Sequence, residues 1–133
     1  MLHLTQRCFA ALLALSLPFA AQAQEEGKVR VITSFNQAAQ CISPIRVTKI
    51  DGREATVQRM GFNIEPGRHT ISGSAIIDTS MCSTVGRINN PPRAQPLEAE
   101  FELGKVYYLG YDHSSSDRND WKIVIWKVEE ADG

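Results

Sequence analysis

After Lys28, apolar and polar residues alternate with a period of two, and no stretch of a dozen residues carries a helical apolar stripe. That pattern predicts strands. Val29, Val31, Thr33 and Phe35 fall on one face of a first strand, with Arg30 and Ser34 opposite. The stretch from Asn36 to Gln40 predicts a turn or short helix before Cys41. In "IRVTKIDGREATV", Asp51-Gly52 separates two β-prone runs. Both residues tolerate positive φ, which a type I′ hairpin turn requires. Met60, Phe62 and Ile64 alternate up to Pro66-Gly67, and His69, Ile71, Gly73, Ala75 and Ile77 alternate away from it. Proline at the second position and glycine at the third predict a type II corner. Gly73 interrupts its strand, as at a bulge.

Residues 78–96, "DTSMCSTVGRINNPPRAQP", lack sustained periodicity and exceed the usual connection length, so this segment is expected to be functional or tied down. Beyond it, Leu97, Ala99, Phe101 and Leu103 alternate with three glutamates. Gly104-Lys105 then turns the chain into a strand where Tyr107, Leu109 and Tyr111 oppose Val106, Tyr108 and Gly110. A polar loop, Asp112 to Asp120, leads to "WKIVIWKVEE", which is apolar on both sides and predicts a central strand. The sum is an all-β fold: a single antiparallel β-sandwich, transthyretin- or immunoglobulin-like, of six to seven strands.

The N-terminus changes where that domain begins. Arg7 precedes an apolar run from Cys8 to Ala21 that ends in Ala21-Gln22-Ala23, the small-x-small pattern of a signal-peptidase site. The run is shorter than the roughly 20 residues that span a bilayer. Residues 1–23 therefore read as a signal peptide cleaved after Ala23, and residues 24–133 as one domain, delivered to the periplasm or secreted, with no stable membrane insertion after cleavage. Cleavage removes Cys8 and leaves Cys41 and Cys82, an even pair in an oxidising compartment, for which a structural disulfide is the default.

Charge and motifs then exclude more than they select. The whole chain carries a formal net charge of −1 with both signs dispersed. There is no basic stripe for nucleic acid or anionic lipid. No G-x-S-x-G, P-loop or dinucleotide motif is present, and no catalytic residue, cofactor or metal is expected. The Asp112, His113, Asp117, Asp120 group does not fit calcium-loop spacing and reads as a solvated loop. His69 reads as a strand-start imidazole bonded to a nearby carbonyl or carboxylate.

Asp51-Gly52 followed by Ile64-x-Pro66-Gly67-x-His69-x-Ile71 resembles the pattern of PEGA-type and related transthyretin-like β-sandwich domains. Phe101-x-Leu103 with Tyr107-x-Leu109 is similar to a Gly-Lys-Tyr-Tyr hairpin of bacterial exported proteins of that shape. The likeness runs from about Ile45 to Ile77 and from Leu97 to Tyr111. It implies a non-enzymatic extracytoplasmic module and transfers no catalytic residue. The long cysteine-containing segment and the lack of a second copy depart from the family pattern.

Two functional expectations follow. The first is an envelope-associated binding or accessory module whose partner is an unknown protein or envelope component. The second is a small secreted inhibitor of a hydrolase such as a lysozyme or protease, with Arg87 or Arg93 filling a cleft. Among the aromatics, most are expected in the core. Tyr111 and Trp121 flank the polar loop and, with His113, Arg87 and Arg93, are the partner-binding candidates.

Overall fold

The computed structural model describes residues 26–57, 59–77, Cys82 and 95–132. The expected signal peptide and most of the 78–96 segment lie outside these residues. Nine strands follow in order: β1 (Val29–Ile32), β2 (Ile42–Ser43), β3 (Ile45–Ile50), β4 (Arg53–Glu54), β5 (Gly61–Ile64), β6 (Gly67–Ala75), β7 (Leu97–Phe101), β8 (Lys105–Asp112) and β9 (Lys122–Glu130). Seven have four or more residues; β2 and β4 are two-residue ladders. Short 3-10 turns at Ala38–Gln40 and Arg118–Asp120 are the only helical elements among the described residues.

The strands form two sheets, one of five strands and one of four. In the larger sheet β8 pairs with β9 along its whole length, with β1 over Val106–Tyr108 and with β2 over Tyr111–Asp112, while β5 pairs with β1. The smaller sheet runs β4-β3-β6-β7. Val29, Val31, Phe62, Tyr107, Leu109 and Ile123 from the first sheet and Val47, Ile71 and Phe101 from the second share one buried core. The expected alternation supplies these faces, because successive strand residues point to opposite sides.

Several expectations need correction. The larger sheet is mixed, since β1 runs parallel to β8. The last strand is not central: β9 pairs only with β8, apart from a single bridge between Gln95 and Lys122. Its two-sided apolarity comes from Ile123 and Ile125 in the core and Trp126 on the outside, against Tyr108 at 5.3 Å between ring centroids. Leu103 and Met60 are exposed, because each lies in a turn just outside its strand. Phe35 likewise lies beyond β1 and rests on Tyr108 instead of facing the core.

The turns divide in the same way. Asp51-Gly52 closes the β3–β4 hairpin with φ of 54° and 79°, the left-handed values expected of a type I′ turn. Pro66-Gly67 is not a hairpin corner. β5 belongs to the larger sheet and β6 to the smaller, so the corner carries the chain across the core. Gly104 does the same between β7 and β8. Gly73 lies opposite a bulge rather than in one. β3 carries an extra residue, Thr48, between Val47 and Lys49, and a Cβ on Gly73 would run into the Arg46 carbonyl oxygen. That extra residue lets Val47 and Ile50 both reach the core, where strict period two would send Lys49 inward.

Candidate functional site

Cys41 and Cys82 form the expected disulfide, with Cα atoms 5.4 Å apart. Tyr111, His113 and Trp121, three of the partner-binding candidates, meet beside the β2–β8 ladder with ring centroids about 6 Å apart. All three are at most 1% exposed. The alternation that points Leu109 inward points Tyr111 inward too, and His113 follows it with the same parity. Burial pushes the Tyr111 phenol above its ordinary pKa. Arg87 and Arg93 lie outside the described residues.

His113 Nε2 and Ser43 Oγ lie 2.7 Å apart, a pairing between residues 70 positions apart that no local motif announces. It has the spacing of a nucleophile–base pair. Ser43 and His113 are both buried, beside Tyr111 and Trp121. The contact joins β2 to the end of β8 as a core hydrogen bond. Among the described residues, only Cys41, Cys82 and His113 come close enough together to act as a set of metal donors, and both sulfurs are in the disulfide.

The polar loop spends its carboxylates on itself. Asp112 Oδ1 accepts from the Ser114 backbone and hydroxyl at 3.0 and 2.6 Å. Asp117 caps the 3-10 turn by accepting from the Asn119 N–H, and Asp120 accepts from the Ser115 hydroxyl. Trp121 Nε1 donates to the Ser115 carbonyl at 2.8 Å and fastens the loop to the core. These are turn-forming bonds.

His69 fulfils its structural expectation twice over. Nδ1–H donates to Asp51 Oδ2 at 2.6 Å and Nε2–H donates to the Glu65 carbonyl at 2.7 Å. Asp51 Oδ1 accepts from the Thr70 N–H at 2.8 Å. Partial burial opposes charge on the imidazole, but the Asp51 and Glu65 bonds outweigh it and hold the His69 pKa above its ordinary value. The same His69 bond, with the Thr70 N–H, lowers that of Asp51. The group ties the β3–β4 turn to the sheet-crossing corner.

A groove of about 950 Å³ lies beside β3. It exists because β4 is too short to cover β3. The ladder stops at Lys49, and beyond it the edge is held only by Ile45 N–H to the Thr33 carbonyl at 3.3 Å and Ala55 N–H to the Thr48 carbonyl at 3.0 Å. Its apolar lining is the half-buried Val57 and the exposed Ile76, with the core residues Ile45 and Val47 contributing little open surface. Around it stand Arg46, Lys49 and Arg59, with Glu54 the one carboxylate of the lining. Among the described residues none of the three cations is in an ion pair. The Thr48 bulge sits in this edge, where bulges commonly re-aim side chains.

No family model, no curated protein and no solved structure matches this chain. Sequence reasoning missed the groove because Arg46 and Lys49 meet Arg59 only after the chain turns through β4. It also missed the outer aromatic cluster of Phe35, Tyr108 and Trp126. The expectation had Tyr108 and Trp126 in the core and Tyr111 and Trp121 available to a partner. In the structure Tyr111 and Trp121 are the buried pair, and Tyr108 and Trp126 lie on the outer face.

Proposed function

We propose that this chain is an exported, non-catalytic binding or accessory module of the cell envelope, working through the groove beside β3. The observation that carries the reading is the groove itself: three cations with no ion pair among the described residues, beside apolar lining from Val57 and Ile76, on an edge that the two-residue β4 leaves open. Concave sites with an apolar lining and a few polar groups are where proteins bind small ligands. The charged and apolar pattern of residues 1–23 supports export, and the Cys41–Cys82 bridge is in keeping with an oxidising compartment. The transthyretin- or immunoglobulin-like description of the scaffold, and the likeness to PEGA-type domains, belong to the same proposal. The type I′ turn at Asp51-Gly52 supports them.

Two measurements test it. Cell fractionation should place the protein outside the cytoplasm, with a mass corresponding to a chain starting at Gln24. A photo-crosslinking amino acid at Ile76, in the groove wall, should yield adducts that the same group at Leu103, in the β7–β8 turn, does not. Identical adduct patterns at the two positions would remove the groove as the working surface.

A further inference from the structure

We infer that the groove binds a small anionic amphiphile, a single carboxylate or phosphate head on an aliphatic tail. The inference rests on the binding-module reading and narrows it to a ligand class. The head follows from charge. Three cations against one carboxylate line the groove, in a chain whose formal net charge is −1. Arg46 and Arg59 offer planar forks that match an oxyanion, and Lys49 adds a compact charge.

The tail follows from the apolar lining. Ile45 and Val47 are core side chains only 3% exposed, so the aliphatic surface open to a tail is that of the half-buried Val57 and of Ile76, which is 51% exposed, one of the few large apolar side chains so open among the described residues. Covering it with hydrocarbon is favourable at roughly 0.8 kcal/mol per buried methylene, or about fourfold in affinity for each. Among the described residues no aromatic side chain lines the groove, which disfavours stacking on a nucleobase or a sugar ring. An added peptide strand fits poorly. The Thr33–Ile45 and Thr48–Ala55 bonds close the β3 edge at both ends and leave only Arg46 and Val47 between them. Strand addition relies on a longer run of backbone bonds.

The experiment titrates the purified, disulfide-bonded protein with dodecanoate and dodecyl phosphate below their micellar concentrations, by calorimetry. Both should bind, and octanoate should bind at least about tenfold more weakly because it buries fewer methylenes. Replacing both Arg46 and Arg59 by alanine should weaken dodecanoate roughly a hundredfold, about tenfold per lost charge-assisted contact. Lys122→Ala, on exposed β9, should change nothing. Both arginines are exposed and, among the described residues, outside ion pairs, so the double variant should keep the parental melting temperature, which separates lost binding from lost folding.

Equal binding of a neutral dodecyl maltoside would overturn the anionic head. Inorganic phosphate binding as tightly as dodecyl phosphate would overturn the tail. Displacement of dodecanoate by an acidic peptide, but not by dodecyl phosphate, would overturn the class in favour of a peptide. Flotation with phosphatidylglycerol vesicles, lost in the double arginine variant, would identify the head as a lipid of the membrane. Binding confined to the free amphiphile would identify a soluble ligand. Both support the shared chemistry. If no probe binds while the Ile76 crosslink persists, the ligand class fails and the binding module stands. If both fail, both readings fall.

Discussion

His69→Ala tests whether a charged imidazole clamps the β3–β4 turn to the Pro66-Gly67 corner. Neither the ionised Asp51 carboxylate nor the Glu65 carbonyl has a proton to share, so both ring nitrogens must carry one, and the bound form is the imidazolium. Glu100 faces the ring from β7, and Arg53 faces Asp51 from β4. The His69 side chain is 15% exposed and that of Asp51 47%. Hydrogen bonds to charged groups contribute about 1.5–3 kcal/mol when sheltered, and solvent around Asp51 weakens its share. Removing both bonds and the packing against Phe101 should therefore cost about 2 kcal/mol at mildly acidic pH, or roughly 8 °C in melting temperature for a domain of this size.

The pH dependence has a definite sign. Folding raises the His69 pKa, so its stabilisation is complete below the ordinary value of 6.5 and is lost as pH rises through the folded value. Over that interval stability falls by at most about 1.4 kcal/mol per pH unit. Asp51, lowered from 3.8, acts in the opposite sense: its contribution is present above that value and lost as pH falls through the folded one. The clamp is strongest between 3.8 and 6.5. Urea unfolding from about pH 5 to pH 9 should show parental stability declining above pH 6.5, with the decline reduced in His69→Ala. Ring-nitrogen NMR should show both His69 nitrogens protonated at pH 6.5. Parallel pH profiles for the two proteins, or a His69 that titrates at or below 6.5, would refute the clamp.

Four further outcomes can be measured. Cys41 and Cys82 are 41 residues apart, so in the chain-entropy view replacing both by serine should cost roughly 4 kcal/mol, read by urea unfolding. Intact mass with and without reduction should show one bridge and no free thiol in a chain that starts at Gln24. Tyr111 Oη is buried and has no hydrogen-bond partner among the described residues. Tyr111→Phe should thus be neutral or stabilise by up to about 1 kcal/mol, since it removes a polar group that gains nothing from burial. Trp121→Ala, which opens a cavity and frees the Ser115 carbonyl, should cost about 3–5 kcal/mol.

Local signals were legible where the cause is local. Asp51-Gly52 turns with left-handed φ because its own two residues permit it, and the alternation through β6 and β8 sorts inward from outward side chains as the backbone geometry requires. The disulfide was legible from the even pair of cysteines that follows the expected signal peptide. Two bulges, at Thr48 in β3 and at Trp126 in β9, could not be read, because each shifts register against a partner strand that the linear chain does not name. Tyr111 was misread as accessible for a related reason: its neighbourhood in sequence is a polar loop, while its neighbourhood in space is His113 and Trp121.

The sequence by itself determined an all-β chain, the inward and outward faces along most of its strands, the Asp51-Gly52 turn and the pairing of Cys41 with Cys82. These depend on residue type and on a period of two, which every strand carries within itself. Tertiary structure alone decided which strands pair, that Pro66-Gly67 and Gly104 cross between sheets, and that Ser43 meets His113. It also decided that Arg46, Lys49 and Arg59 stand around one groove. Those outcomes depend on long-range pairing between segments that share no local signal, and the candidate site is made of them.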